Sequence, residues 1–251
     1  MGLDRVALYL GIDQKLTSEQ ACSFFDLIKR RISREPAAYI TGHKEFFDLD
    51  FHVDRHVLIP RPETEILVEK AIEIGGSLFA STCLIADVGT GCGAIAVALA
   101  VNLHHARIYA TDVSRAALEI AWYNCCSHCV ANSVTLLQGD LLDPLPEPVH
   151  LIVANLPYIT YSELGGLRAE ISQFEPLLAL NGGVDGLSTI QGVISQAGRN
   201  LLPGGVILME IGFQQGQAVC DLARMYLPGS EVSITKDLCG LDRVVSIRMV
   251  N

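Results

Sequence analysis

The spacing of apolar residues along this chain changes twice, and each spacing predicts a different kind of structure. Over the first 35 residues, apolar positions recur at intervals of three and four, as at Ile28 and Ile32, which is typical of amphipathic helices. Thr17, followed three residues later by Gln20, is the pattern of a helix N-cap. Residues 1–35 are therefore predicted to form a pair of helices.

The next stretch, residues 36–62, does not continue this helical pattern. Helix-breaking residues interrupt it at Pro36, Gly42, Pro60 and Pro62. Residues that favour β-structure are concentrated in the segment Phe46–Val53. The stretch is predicted to form a short β-hairpin or a linker.

From about residue 63 to the end, short apolar runs alternate with helical patterns. The predicted strands are Cys83–Val88, Arg107–Thr111, Val134–Gln138, Val149–Ala154, Gly205–Ile211, Glu231–Thr235 and Val244–Arg248. The predicted helices are Ala94–Val101, Arg115–Ser127, Leu187–Leu201 and Gln214–Tyr226. Strands that alternate with helices predict a mainly parallel sheet covered on both faces.

The last two predicted strands are an exception to this alternation. Only the turn-like segment Lys236–Arg243 separates them, which leaves no room for a crossover helix. They are therefore expected to pair antiparallel. The chain is predicted to be an α/β protein in which residues 63–251 form the sheet domain, residues 36–62 a hairpin or linker, and residues 1–35 a helical N-terminal domain.

Composition narrows the class of protein. Half of the 251 residues are apolar and the mean hydropathy is +0.35, which is too hydrophobic for a disordered chain. The longest apolar run, Ala94–Val101, is far shorter than the ~18 residues that a membrane span requires. The sequence thus predicts no membrane segment.

Eight cysteines and no signal-like apolar segment at the start favour free thiols in a reducing compartment, and hence the cytoplasm. Four residues that can bind a metal are clustered at Cys125, Cys126, His128 and Cys129. Because no second Cys or His pair stands at a finger-like spacing, we favour thiols that pack at the end of a helix over a zinc site.

The charge of the chain is strongly acidic, with a net value of −10. Such a chain repels polyanions at long range, so a direct nucleic-acid partner is not expected. Residues 1–70 carry 10 basic and 12 acidic side chains, whereas residues 71–251 carry 8 and 16. Any basic contact surface is therefore expected near the N-terminus. The basic residues cluster there at Lys29, Arg30, Arg31 and Arg34.

A glycine-rich turn, Asp87–Ala94, connects the first predicted strand of the sheet to a helix. Glycines allow the backbone to approach a ligand closely. Asp112 ends the next strand, 21 residues after Gly91, where a carboxylate can accept hydrogen bonds from ribose hydroxyls. The spacing predicts a nucleoside cofactor. It also satisfies a relaxed pattern for NAD, so spacing alone leaves the identity of the nucleoside open.

Two further carboxylates bear on that identity. Asp87 stands just before the turn, where it suits a cofactor that carries an ammonium and a sulfonium and would oppose a pyrophosphate. This favours S-adenosylmethionine over NAD. Asp140 and Leu141 end the third predicted strand, where they are expected to meet the edge and the face of an adenine.

The segment Asn155-Leu156-Pro157-Tyr158 ends the fourth predicted strand and is expected to share a cleft with the glycine turn. An amide nitrogen is a poor nucleophile, because its lone pair is delocalised. The Asn155 side-chain oxygen and the Leu156 carbonyl can accept its two N–H groups and hold it in line with a methyl group. Tyr158 can pack on the planar group, and Pro157 restricts the chain direction.

On Asp87–Gly93, Asp112 and Asn155–Tyr158, the chain resembles the class I S-adenosylmethionine-dependent methyltransferases that act on amino groups. More specifically, Arg34–Phe46, Ile59–Glu65 and Phe174–Pro176 look like segments of the release factor glutamine methyltransferases, the PrmC/HemK family. The resemblance extends over nearly the whole chain from about residue 4. It implies a Rossmann-like, seven-stranded methyltransferase sheet with an antiparallel C-terminal strand and a shortened helical N-terminal domain for substrate recognition.

The resemblance also implies an activity. S-adenosylmethionine would methylate the side-chain amide of the glutamine in the Gly-Gly-Gln motif of class 1 peptide chain release factors, leaving S-adenosylhomocysteine. Transfer would be direct and in line, without a metal, and the enzyme is expected to be a monomer. The family's cofactor contacts fall on Gly89, Thr90, Gly91, Cys92, Gly93, Asp112, Leu141 and Asn155. Its glutamine motif falls on Asn155, Leu156, Pro157 and Tyr158, and an aromatic position near the substrate falls on Phe46. Arg61 and Glu63–Glu65 would shape the neighbouring loop and helix.

One departure from the family pattern bears on the alternative functions of the chain. Leu156 stands where the family usually has proline, and Asn-Leu-Pro-Tyr is the form found in rRNA adenine dimethyltransferases. Those enzymes carry a basic C-terminal domain, whereas residues 71–251 are acidic, so this alternative ranks second. A non-catalytic release-factor-binding module is disfavoured by the intact acceptor motif. An NAD oxidoreductase is disfavoured because no His or Lys stands out as a proton relay.

Overall fold

The computed structural model describes residues 5–11, 15–78 and 82–250. Its strands are β1 (His43–Phe46), β2 (Leu49–His52), β3 (Cys83–Val88), β4 (Ala106–Asp112), β5 (Val134–Gln138), β6 (Val149–Asn155), β7 (Leu201–Glu210), β8 (Glu231–Lys236) and β9 (Asp242–Arg248). Its helices are α1 (Arg5–Leu10), α2 (Ser18–Ile32), α3 (Ala37–Thr41), α4 (Glu65–Leu78), α5 (Ala94–Asn102), α6 (Arg115–Ser127), α7 (Tyr161–Leu164), α8 (Ala169–Ser172), α9 (Ser188–Asn200) and α10 (Gly216–Tyr226). Short 3-10 turns cover Pro62–Thr64 and Leu177–Ala179.

Seven of the strands form one sheet in the order β5-β4-β3-β6-β7-β9-β8. Neighbours from β5 to β7 pair parallel, and β9 pairs antiparallel with both β7 and β8. The predicted α/β class, the seven strands and the antiparallel C-terminal strand are therefore confirmed.

The sheet is covered on both faces, as a parallel sheet requires. Adjacent residues of β3 point to opposite faces, so Ile85 joins one apolar cluster with α5 and Ala86 joins a second with α9. The first seven residues of α5, Ala94–Ala100, are all buried. The longest apolar run of the sequence is thus a core helix. Among the described residues, no helix is both long and apolar enough to cross a membrane.

The N-terminal helices differ from this core. Thr17 caps α2 as predicted, since its side chain accepts from the Gln20 amide and the Gln20 side chain accepts from the Thr17 amide. No residue of α2 is buried, and Phe24 and Phe25 are 51% and 61% exposed. Residues 12–14, which fall within the predicted pair of helices, lie outside the described residues. The division into residues 1–35, 36–62 and 63–251 stays a prediction.

Residues 36–62 contain the expected hairpin, formed by β1 and β2. Its aromatic side chains Phe46 and Phe51 are buried in the first cluster. The helix that follows, α4, is absent from the sequence-based assignment. Its last turn contains Gly75 and Gly76, which disfavour helices, but a Cβ on Gly75 would lie 2.8 Å from the Leu103 side chain. A side chain at this position would have to displace Leu103, so Gly75 allows α4 to pack closely there.

Candidate active site

A cavity of about 230 Å³ lies beyond the carboxyl ends of the parallel strands. It is the position where open α/β sheets bind ligands. Its walls include eight residues predicted for the site: Gly89, Gly91, Asp112, Asp140, Leu141, Asn155, Leu156 and Pro157. The segment after the hairpin adds His56, Val57 and Leu58 to the wall, and the 3-10 turn at residues 177–179 adds Leu178 and Ala179.

The backbone conformation and the packing of the turn between β3 and α5 explain why it is rich in glycine. Gly89, Gly91 and Gly93 all have positive φ, at 72°, 56° and 81°. At Gly93 a Cβ would also lie 3.2 Å from the Ala121 Cβ on α6, so conformation and packing both require glycine there. At Gly91 a Cβ would meet nothing within 4 Å, because this residue faces the open cavity. The backbone of the turn is thus left uncovered for a ligand.

Asp112 ends β4 and faces the same cavity. One carboxylate oxygen accepts from the Gly91 amide at 2.9 Å and the other accepts from the Ser114 amide at 2.8 Å. Burial raises the pKa of this carboxyl, and these backbone hydrogen bonds oppose the rise. Each oxygen keeps a lone pair that can accept a further hydrogen bond, for example from a hydroxyl pair.

Asp87 lies behind the glycine turn and does not line the cavity. Its Oδ2 accepts from the Thr90 hydroxyl at 2.6 Å and from the Ala96 amide at 3.1 Å. Its Oδ1 is buried without a hydrogen-bond partner. Burial raises the pKa of Asp87 to about 7. A carboxyl with one unpaired oxygen next to a ligand cavity is suited to a cationic group.

Three other residues predicted for the cofactor lie in the turn without lining the cavity: Thr90, Cys92 and Gly93. Thr90 and Cys92 are buried. Asp140 and Leu141 do reach the cavity wall. Leu141 has a φ of 46°, and its carbonyl accepts from the Thr111 hydroxyl at 2.8 Å. This contact holds an unfavourable backbone conformation in place.

Asn155 lies at the carboxyl end of β6, between two cavities. The second cavity is lined by Asn155, Leu156, Pro157 and Tyr158 together with Leu58, Arg61, Ile159, Ile171, Ala179, Leu180 and Glu210. The structure therefore brings the four residues of the predicted acceptor motif to one place, with the glycine turn on one side and a second opening on the other.

Hydrogen bonds link that motif to two residues that sequence reasoning did not assign to the site. Asn155 donates through Nδ2 to the Thr64 hydroxyl at 2.9 Å. Thr64 donates in turn to Glu210 Oε2 at 2.6 Å, and Tyr158 donates to Glu210 Oε1 at 3.3 Å. Burial raises the pKa of Glu210, and burial raises that of Tyr158 to about 12, so Tyr158 stays a hydroxyl at neutral pH.

The backbone of the motif is also held by its neighbours. The Pro157 carbonyl accepts from the Thr189 hydroxyl at 2.9 Å, and the Tyr158 carbonyl accepts from the Gln215 side chain at 3.2 Å. Leu156 is buried, and its side chain lies 3.1 Å from the position of a Cβ on Gly89. The leucine that replaces the usual proline thus packs directly against the glycine turn.

The segments that carry the family resemblance meet at an ion pair. Arg61 donates to Glu175, whose side chain is almost completely buried. Burial raises the pKa of Glu175, and the charge of Arg61 opposes the rise. The pair joins the chain just before Thr64 to the segment that precedes the 3-10 turn at the cavity wall.

Two residues depart from the predicted site. Phe46 is buried in the core, with its ring centroid 6.1 Å from that of Phe51, and the structure does not bring it to either cavity. Asn124 on α6 was not predicted at all. Its side chain is buried, accepts a hydrogen bond from the His52 amide at 2.9 Å and donates one to the Cys92 carbonyl at 2.8 Å. These two hydrogen bonds connect the hairpin to the glycine turn. A polar residue on the buried face of a predicted helix was the available signal.

The predicted basic cluster near the N-terminus is paired with acidic side chains. Lys29 pairs with Asp26, Arg30 with Glu35, and both Arg31 and Arg34 with Glu170. Within residues 5–11, 15–78 and 82–250, no group of three or more His, Cys, Asp or Glu side chains is arranged to hold a metal ion.

Comparisons with known proteins agree with this geometry. Residues 1–42 match the family model described as PrmC N-terminal domain, and residues 64–166 match the methyltransferase small domain. A release factor glutamine methyltransferase of Moorella thermoacetica is 45% identical over 242 residues, covering 96% of this chain and 84% of that protein. The corresponding protein of Thermodesulfovibrio yellowstonii is 39% identical, covering 98% and 88%. A methyltransferase structure from Pyrococcus furiosus, 16% identical, shares the fold with a TM-score of 0.60 over 94% of this chain and 100% of that chain.

Proposed function

This chain belongs to the release factor glutamine methyltransferase family, and from that premise we propose that it methylates the Gly-Gly-Gln glutamine of class 1 release factors on the side-chain amide nitrogen. The methyl donor in this proposal is S-adenosylmethionine. Two relatives that carry the family name are 45% and 39% identical over nearly the whole chain, which supports the same reaction here.

The observation that carries the proposal is the place of Asn155 between two cavities. A transfer between two molecules needs separate openings that meet at the reacting atoms. The glycine-turn cavity offers space for a nucleoside, and the cavity beside Tyr158 offers space for a side chain that enters from the other direction. Asn155, Leu156 and Pro157 line both.

Two features of the first cavity and one buried group behind its glycine turn fit S-adenosylmethionine. Asp112 has free lone pairs for two ribose hydroxyls, Gly91 leaves the backbone open, and Asp87 Oδ1 is a buried acceptor without a partner. Asp140 and Leu141 would meet the adenine. When bound, the cofactor supplies an electrophilic methyl group on a sulfonium.

On the acceptor side, the chain's own groups would orient the substrate amide. Asn155 uses Nδ2 for Thr64, so its Oδ1 is available to accept one N–H of the glutamine amide. The Leu156 carbonyl accepts the other, and Tyr158 packs on the planar amide. Hydrogen bonds to both N–H groups place the nitrogen in line with the methyl group. This alignment lowers the barrier to reaction of a weak nucleophile.

The acidic character of residues 71–251 supports a protein substrate over RNA, and the proposed partners are the release factors themselves. All eight cysteines are free thiols, which supports the cytoplasm as the location. The monomeric state and the absence of direct nucleic-acid binding stay predictions.

A transfer assay tests the proposal. The protein is incubated with methyl-labelled S-adenosylmethionine and, in separate reactions, a release factor, its Gln→Ala variant in the Gly-Gly-Gln motif, and rRNA. Label in the intact release factor alone is the expected result. Label in rRNA would select the adenine methyltransferase alternative, and equal label in the Gln→Ala variant would contradict the proposed target atom.

A further inference from the structure

The two ends of the Asn155 side-chain amide have opposite chemistry, and only one of them serves the proposed reaction. The NH2 group can only donate hydrogen bonds, whereas Oδ1 can only accept them. The substrate amide must be held by an acceptor, so the amide of Asn155 has to present Oδ1 to it. A rotation of 180° would present donors to donors and abolish this contact.

The contacts of Thr64 decide which end faces the substrate. A carboxylate only accepts hydrogen bonds, so the hydroxyl proton of Thr64 is committed to Glu210 Oε2 at 2.6 Å. The Thr64 oxygen is then left as an acceptor and can face only the NH2 end of Asn155, at 2.9 Å. The orientation of one amide is thus fixed by a carboxylate that does not touch it.

We propose that Thr64 and Glu210 are positioning residues that keep Asn155 Oδ1 directed at the substrate amide. This inference rests on the proposed function. Glu210 also accepts from the Tyr158 hydroxyl, at 3.3 Å, through its other oxygen. The Glu210 carboxylate therefore contacts the last residue of the acceptor motif directly and the first through Thr64.

The fold brings these groups together from three separate elements. Asn155 and Glu210 end adjacent parallel strands, where they are register partners. Thr64 ends the 3-10 turn of Pro62–Thr64, just before α4, and is only 4% exposed. Arg61, three residues earlier, pairs with the buried Glu175, which keeps the turn close to the motif.

The surroundings of Glu210 favour its acceptor role. Its carboxyl is buried, and it faces the hydroxyls of Thr64 and Tyr158, the charge of Arg243, and Glu63. Burial raises its pKa, while the two hydroxyl hydrogen bonds and Arg243 oppose the rise. Two donors and a nearby cation are what a buried carboxylate requires.

Removal of the Thr64 hydroxyl tests the inference. Thr64→Val keeps the shape of the side chain but releases the Asn155 amide. We expect kcat to fall about 5- to 10-fold, as for the loss of one orienting hydrogen bond, with KM for the release factor and the cofactor Kd changed less than about 2-fold. Thr64→Ser keeps the hydroxyl and is expected to restore most of kcat. Glu210→Gln, which introduces a donor, is expected to lower kcat at least as much as Thr64→Val.

A matched control separates orientation from general effects on the fold. Thr235 lies on the edge strand β8, away from both cavities, so Thr235→Val should leave kcat unchanged. In an Asn155→Ala background, Thr64→Val should cause no further loss, because Thr64 acts only through Asn155. A full additional loss in the double variant, or wild-type kcat in both Thr64→Val and Glu210→Gln, would overturn the inference.

A readout that does not depend on catalysis distinguishes this inference from the proposed function. The side-chain NH2 signals of Asn155, identified by their absence in Asn155→Ala, should exchange slowly with solvent in the wild type and in Thr64→Ser, and faster in Thr64→Val. If the wild type transfers no methyl group but these signals behave as described, the proposed function fails and the positioning of Asn155 stands. Unchanged exchange in Thr64→Val would overturn the positioning.

Discussion

The two sides of the candidate active site are built in different ways. On the proposed cofactor side, the glycine turn and Asp112 lie in neighbouring segments and contact each other across 21 residues of chain. The acceptor side depends on contacts between distant segments, since Thr64 lies 91 residues from Asn155 and 146 from Glu210. The proposed ribose contact thus depends on a short stretch of chain, whereas the proposed orientation of the substrate amide depends on contacts between distant segments.

If the two sides act separately, substitutions on each should affect different kinetic constants. Asn155→Ala removes the acceptor that orients the substrate amide and is expected to give the largest effect, a fall in kcat of ~100-fold or more. Single-turnover kinetics at saturating cofactor measures it. Asn102→Ala, on helix α5, is the matched control and should retain the wild-type rate. A wild-type rate in Asn155→Ala would refute the role of this residue.

Asp112→Ala should show the opposite pattern. Loss of the acceptor for the ribose hydroxyls is expected to weaken cofactor binding about 30-fold, or ~2 kcal/mol, with a much smaller change in kcat at saturating cofactor. Isothermal titration calorimetry gives the affinity. An unchanged dissociation constant would remove Asp112 from the cofactor site, and a loss confined to kcat would erase the distinction between the two sides.

A smaller effect is expected from the charge state of Asp87. Because the pKa of Asp87 in the free protein is raised to about 7, its protonated form stabilises the fold at low pH, and this stability is lost as the pH rises through 7. A cationic cofactor favours the carboxylate, so the rise in melting temperature on binding S-adenosylmethionine should grow between pH 5.5 and 7.5. Affinity should increase about 5-fold over that range.

Asp87→Asn is the control for this pH dependence. The variant cannot ionise, so both its melting temperature and its cofactor affinity should vary less with pH than those of the wild type. The same pH dependence in Asp87→Asn would assign the effect to another group.

The sequence predicted the locally encoded parts of the molecule well. The bounds of β3, β5 and α6 agree to the residue, because each element carries a clear apolar pattern and ends at a turn signal. The strand predicted at Gly205–Ile211 begins earlier in the structure, at Leu201, since the pairing of β7 with β6 continues across a register shift. Helix α4 was missed because Gly75 and Gly76 weaken its local signal, although Gly75 packs closely against Leu103.

The acceptor motif shows the same limit at the site. Asn155–Tyr158 could be recognised from residue chemistry at a strand end, but Thr64 and Glu210 could not, because only the folded chain brings them into contact. Phe46 illustrates the reverse case. Its place in the family pattern suggested a substrate contact, whereas in this fold its side chain fills the core beneath the hairpin.

The most direct test of the central claim is fragment mass spectrometry of a release factor after incubation with the protein and S-adenosylmethionine. The account predicts one added methyl group, located on the side chain of the glutamine in the Gly-Gly-Gln motif. A methyl group on another residue, or a release factor that stays unmodified while rRNA in the same reaction becomes methylated, would contradict it.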